Sequence, residues 1–230
     1  MKNLSSDRTR KFRIEFRQKQ PATPKTRLFH LISIAVLVPG SIVLTLCELE
    51  QCGWGDLAFV LSTLVFGNWV IHLIHRYLLH VPVKYIQYPY QIHTLIHHQY
   101  FTESEYEFSE LGELDVILFP VWFVFVLTLV ISPLAGYGAV VYLGKNTALL
   151  LMMMINVNYL LYELVHFTSH LPESSWIHRI GFFRFMRRHH WLHHHKALMG
   201  RKNFDVTFPL FDILFRTWVT RLPTRNKPNC

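Results

Sequence analysis

Residues 57–80 read Leu57-Ala-Phe-Val-Leu-Ser-Thr-Leu-Val-Phe-Gly-Asn-Trp-Val-Ile-His72-Leu-Ile74, then His75-Arg-Tyr-Leu-Leu-His80. The first eighteen of these residues carry no formal charge. At about 1.5 Å per helical residue, such a run reaches across most of a hydrocarbon core. It passes directly into two histidines. The stretch is therefore a membrane span that ends in imidazoles.

Three further runs surround it. Phe29–Cys47 is uncharged, with Pro39-Gly40 mid-run, which predicts a kink. Val116–Gly144 is uncharged and interrupted by Pro133 and Gly136, which predicts a helix end near Ile131. Thr147–Tyr162 is the fourth, and it leads into Glu163-Leu-Val-His166-Phe-Thr-Ser-His170. Spans two and four thus both end in histidines. The expected fold class is an all-α integral membrane protein with about four transmembrane helices. A cytosolic helical cap carries a histidine-rich site for two metals.

Composition agrees. The chain has 230 residues, 51% of them hydrophobic, with a mean hydropathy of +0.21. The net charge of +8 is strongly segregated. Residues 1–27 carry +7, residues 178–230 carry +9, and the middle carries −8. Basic ends suit nucleic acid or an anionic membrane surface, and the long apolar runs decide for the membrane. No nucleic-acid motif is present, and the aromatic residues lie mainly in the apolar runs. The basic N-terminus is expected in the cytosol as part of a retained signal anchor. Counting crossings from there places every histidine cluster, and the basic C-terminal segment, on the cytosolic side. Three parts are expected: a basic segment at 1–28, a transmembrane domain at 29–170, and a cytosolic cap at 171–230. A multi-pass protein with both termini cytosolic would lie in the endoplasmic reticulum of a eukaryote or the inner membrane of a bacterium. Residues 8–19 alternate charge with Phe12, Ile14 and Phe16, which suits a short interfacial helix, a strand or a disordered tail. Cys47 and Cys52 are equally compatible with a disulfide and with two free thiols.

The histidines form four clusters: His75 and His80; His93, His97 and His98; His166 and His170; and His190, His193 and His194. On an α-helix, residues i, i+3 and i+4 share a face. The last cluster, within Arg187-Arg-His-His-Trp-Leu-His-His-His-Lys-Ala-Leu-Met-Gly-Arg-Lys-Asn203, therefore aims three imidazoles at one place. The first pair, at i, i+5, shares no face on a regular helix. Either the helix ends between them or His72 is the partner of His75. Imidazole binds iron, zinc, copper and nickel, and one ion takes four to six ligands, so ten rings imply two ions. Glu163 and His166 form one Glu-x-x-His, where soluble di-iron bundles need two plus further glutamates. Glu163 is expected to orient a ligand imidazole, with a plain cytosol-facing charge as the alternative. His30, His72, His178, His189 and His195 are expected at surfaces, in interfaces or behind the ligands. A haem-b protein would place its histidines inside the spans, and a zinc protease would show His-Glu-x-x-His.

Tyr162-Glu-Leu-Val-His166-Phe-Thr-Ser-His170-Leu-Pro, then His190-Trp-Leu-His193-His194, then Asn203-Phe-Asp-Val-Thr-Phe-Pro-Leu-Phe-Asp212-Ile-Leu-Phe-Arg-Thr217 resembles the C-terminal half of the fatty acid hydroxylase/sterol desaturase superfamily. The clusters at 75–80 and 93–98 resemble its N-terminal half, so the likeness covers roughly residues 55–218. The pattern is closest to the fatty acid 2-hydroxylase branch, in which an acid precedes the third cluster as Glu163 does. There are two departures: three residues precede the His97-His98 pair where that branch often has two, and Arg216 stands where the family usually has glycine.

The resemblance implies a non-haem pair of iron ions held by the ten histidines, although the same imidazoles also accept zinc. It implies O2 as co-substrate and hydroxylation of a membrane lipid or fatty acyl chain. Desaturation, or sterol or carotenoid oxidation, would be a variant within the superfamily. Electrons are expected from an external donor of cytochrome b5 or ferredoxin type. Asn203 and Asp212 recur in the resemblance and are read as cap residues that hydrogen-bond the histidine layer. Trp191, Phe204, Phe208 and Phe211 are candidates to line the lipid's access route. A metal-binding membrane protein without redox chemistry, such as a zinc hydrolase or carrier, is the reading from another class. A carrier needs polar groups within its spans, and here Asn68, Asn156 and Asn158 are nearly all there are.

Overall fold

The computed structural model describes residues 2–19 and 23–223. Regular structure among them is helical, apart from two isolated bridges, Val83 with Ile86 and Thr102 with Glu105. We number the helices α1 (Lys2–Lys19), α2 (Pro24–Cys47), α3 (Trp54–Leu79), α4 (88–100), α5 (Val121–Leu143), α6 (Lys145–His170), α7 (Gly181–His194) and α8 (Leu210–Leu214). Helices α2, α3, α5 and α6 are long and apolar enough to cross a membrane, which makes this a multi-pass membrane protein.

Helix α6 is the hub and packs on α2, α3, α5 and α7. Its sequence explains the role. Small and polar residues on its faces let neighbours approach and then fasten them, as membrane helices require when lipid offers no hydrophobic drive. Asn156 accepts from Thr128 at 2.9 Å and donates to Ser132 Oγ at 3.1 Å, which ties α6 to α5. Asn158 donates to the Thr63 carbonyl of α3 at 3.4 Å. Gly67 of α3 faces the Asn158 amide so closely that an added Cβ would collide with it. The outer faces of the spans remain apolar and exposed, as at Leu44, Leu61 and Leu134.

The expected break near Ile131 does not occur, because α5 runs on to Leu143. Proline removes a backbone donor, and its ring clashes with the preceding turn of an α-helix. Here a wide π turn, Leu127–Ile131, lies just ahead of Pro133. The same device, Ser33–Leu37, lies just ahead of Pro39 in α2. The π turn shifts the hydrogen-bond register before each proline, so both helices continue.

The N-terminal segment is a helix rather than a strand or tail, and it is docked. Arg13 of α1 donates to the carbonyls of Tyr100 and Glu105 at 2.8 and 2.6 Å. Its guanidinium lies over the Tyr100 and Phe101 rings and pairs with the buried carboxylate of Glu113. Cys47 and Cys52 are free, exposed thiols.

Candidate metal centre

All ten candidate histidines converge at one end of the bundle. Five of them, His75, His80, His93, His98 and His193, bring ring nitrogens within 4.8 Å of one another. His97, His170, His190 and His194 do the same beside them. His166 joins this second set through a 3.3 Å approach of its Nε2 to that of His97. His80 is half-buried and the other nine are buried.

Local helix geometry explains the pairing. His75 lies in the π turn Ile74–Leu79 and His80 caps its end, and their Nε2 atoms lie 3.2 Å apart. A π turn closes i→i+5 bonds, so residues five apart come onto one side. The helix also ends between the two, at Leu79, as one of the two expected alternatives has it, so the i, i+5 spacing is satisfied by the π turn and the helix end together. His93 and His98 repeat the arrangement on the π turn Gln91–His97, at 3.1 Å. His166 with His170 and His190 with His194 are ordinary i, i+4 pairs on α6 and α7. The expectation that His190, His193 and His194 aim at one place needs correction. Helix α7 crosses both sets: His193 belongs to the first, whereas His190 and His194 belong to the second. Three residues subtend a different angle from four, so one helix contributes to two adjacent imidazole sets.

The tautomers can be read from the partners. His75, His193, His97, His170 and His194 each place Nδ1 against a backbone carbonyl: Phe204, Lys202, Val116, Tyr106 and Phe101 respectively. A carbonyl only accepts, so each Nδ1 carries the proton and each Nε2 presents a lone pair. His80 follows the same rule. The Thr94 hydroxyl donates to the Leu79 carbonyl, so its oxygen accepts from His80 Nδ1. The Nε2 atoms of His80 and His193 then face each other at 2.9 Å, and those of His97 and His194 at 3.2 Å, with no proton between them. Protonation does not relieve this crowding. Burial lowers the pKa of His97 and His193 to about 4, and burial followed by neighbouring imidazoles holds His80, His93, His98, His190 and His194 well below the usual range. Converging neutral nitrogen lone pairs are what a bound cation requires. The residues present therefore fit two adjacent transition-metal ions.

The remaining candidates stand behind this shell. Glu163 is buried and accepts from the Phe119 amide and the Tyr159 hydroxyl, both at 2.9 Å. Its bonds go to those groups rather than to His166. It holds the 116–119 segment, whose Val116 carbonyl fixes His97. Asp212 accepts from the amides of Phe204 and Asp205, from Thr217 Oγ1 and from His189 Nε2. Asn203, at φ 57°, bonds the His189 carbonyl and both backbone groups of Val219. These two residues fix the carbonyls of Lys202 and Phe204 against His193 and His75.

The sequence does not single out Asp205. It accepts from the Asp212 amide and pairs with His72 at 2.9 Å. An acid placed with Asp212 inside the otherwise uncharged run 204–215 is the available signal. His72 is thus not a partner of His75. Trp191, Phe204, Phe208 and Phe211 do not line the apolar cavity between the spans. The Trp191 indole donates to the Glu103 carbonyl, and the Phe204 ring packs on His75, His80 and His193.

That cavity, of about 470 Å³, lies between α3, α5 and α6. His75, His93, His97 and His166 form one end of it, so it touches both sets. Phe66, Val70, Phe123 and Leu151 line its length. Tyr88 and Trp122, both half-exposed, stand at its flank with ring centroids 5.9 Å apart.

A family model described as fatty acid hydroxylase matches residues 59–217, a stretch that contains all ten histidines, Glu163, Asn203 and Asp212. Comparison with curated proteins and with solved structures gave no match.

Proposed function

The chain belongs to the fatty acid hydroxylase family, and on that premise we propose that it is an O2-dependent hydroxylase of a membrane lipid's acyl chain. The observation that carries this reading is the cavity, an apolar channel open to the spans whose histidine end is shared by both imidazole sets. An acyl chain offers only unactivated C–H bonds, and no side chain is a strong enough oxidant. Two iron ions bound at the histidines would supply that oxidising power. His75, His80, His93, His98 and His193 would hold one, and His97, His166, His170, His190 and His194 the other.

One oxygen atom enters a C–H bond and the other leaves as water, with two electrons and two protons taken up. An external donor of cytochrome b5 or ferredoxin type supplies the electrons. The apolar walls orient the chain and exclude water from it. Along α3, Thr63 at the far lining lies about 18 Å from His75. A tail filling that length leaves the carbons nearest the headgroup beside the histidines, which supports the 2-hydroxylase branch. The basic ends of the chain support a cytosolic placement of the histidine end.

The test compares whole-cell lipid mass spectra with and without the gene, and with His193→Ala. The expected result is a lipid heavier by one oxygen atom that is lost in the variant. Survival of that species in His193→Ala would defeat the assignment. Two metal equivalents with no O2-dependent product would favour a zinc site without redox chemistry.

A further inference from the structure

The segment after α7 does not simply cover the histidines; it descends beside α3. Its upper end is pinned at the histidine level, where Phe204 O receives His75 Nδ1 and Asn203 N donates to Thr217 O at 3.1 Å. Below that, Asp205 meets His72. Lower still, Asn68 donates to Thr207 Oγ1 at 2.9 Å and to the Phe208 carbonyl at 3.2 Å. Asn68 lies about 10 Å beneath His75 along the helix. It is also only about 18 Å above Asp56, the last charge before the span, out of a core of about 30 Å. The tip at residues 207–209 is therefore at hydrocarbon depth.

Irregular backbone at that depth must satisfy its own polar groups. Here it does so with side chains. Asp212 takes the amides of Phe204 and Asp205, Asp205 takes the amide of Asp212, and Asn203 takes the amide of Val219. Two buried carboxylates in an apolar run thereby find a physical reason. The outer face of the same segment is apolar and exposed: Leu210, Ile213 and Leu214 are 45%, 51% and 66% accessible. Basic residues rim its upper edge. Arg188 reaches the Thr220 carbonyl, and Arg184, Arg216 and Arg221 are exposed.

We propose that residues 204–218 form a wedge immersed in the leaflet at the histidine end of the spans, with α8 against acyl chains and the arginine rim at the lipid phosphates. The apolar face continues that of α3, already a lipid-facing span, and an interfacial element of this kind sinks about 5–10 Å. The cap is thus partly a membrane element.

The test uses the full chain in phosphatidylcholine nanodiscs, with acyl chains either plain or brominated near their upper end. The difference in emission between Leu214→Trp and the parent protein isolates a probe on the exposed face. We expect it to fall about twofold in brominated discs and to resist aqueous iodide. Trp176, 70% exposed, serves as the control through Trp176→Phe, with iodide quenching its emission. Iodide quenching at Leu214→Trp, or quenching by neither agent, would overturn the proposal; the latter would mean that a second copy or another protein covers the face. Ile213→Trp repeats the measurement if Leu214→Trp fails to fold. The readout is position alone, so failure of the hydroxylase reading would leave this result intact.

Discussion

The two imidazole sets do the same work with different helical periods. The first contains two i, i+5 pairs on π turns, His75 with His80 and His93 with His98, plus His193. The second contains two i, i+4 pairs on α-helix, His166 with His170 and His190 with His194, plus His97. Either period stacks two rings over one point; the π version costs regular hydrogen bonding, a cost found mostly at functional sites. The supports differ as well. The first set rests on Lys202, Phe204 and Thr94, which belong to the strand of chain entering the wedge and to α4. The second rests on carbonyls of Phe101, Tyr106 and Val116, in a stretch braced by Arg13 of α1. The lesson is that one pocket has two separately supported halves.

Removing one ligand from each half is the strongest way to break that picture. His193→Ala and His97→Ala should each lower bound metal from two ions toward about one per chain and reduce product formation by about 100-fold or more. Elemental analysis of the purified variants checks this, and simultaneous loss of both ions from either variant would show that the halves are not separable.

Acid should strike both halves in one window, since each holds a ring whose folded pKa is lowered from 6.5 to about 4. The unfolded chain binds protons first, so stability of the metal-free protein is fully present above pH 6.5 and is lost as pH falls toward 4. Each ring is worth about 3 kcal/mol across that range. Thermal unfolding in detergent over this range measures it; a flat profile would contradict the buried, neutral rings.

The supports allow a finer separation. Asp212→Ala strands buried donors from Phe204, Asp205 and His189 and should cost about 3 kcal/mol. Under chelator titration it should release the first ion before the second. Arg13→Met removes bonds to Tyr100 O and Glu105 O and should cost about 2 kcal/mol, with the order of release reversed. Identical release order in the two variants would erase the distinction.

The spans and all ten histidines were legible because uncharged runs and histidine doublets are local features. The pairing of His75 with His80 was legible as a cluster, but the π turn that brings the two rings onto one side was not, because it leaves no mark in residue type. The division of the 190–194 cluster was hidden too, since it depends on where the other helices place their rings. Carbonyl supports such as Val116 O are invisible in principle: every residue has one. The docking of Arg13 on residues 100–113 joins segments some ninety positions apart, which alternating charge in 8–19 could not announce. Asp205 and Asp212 could be seen as odd acids in an apolar run, but not that they serve backbone amides.

Gly67 gives the channel a ruler. Its missing side chain is what lets Asn158 lie across the α3–α6 crossing, and both residues line the cavity. A single methyl at position 67 would drive that amide out of its seat. On the acyl-chain reading, the bore would then be stopped short of Thr63, and the enzyme would measure out a shorter tail while its histidines stayed untouched.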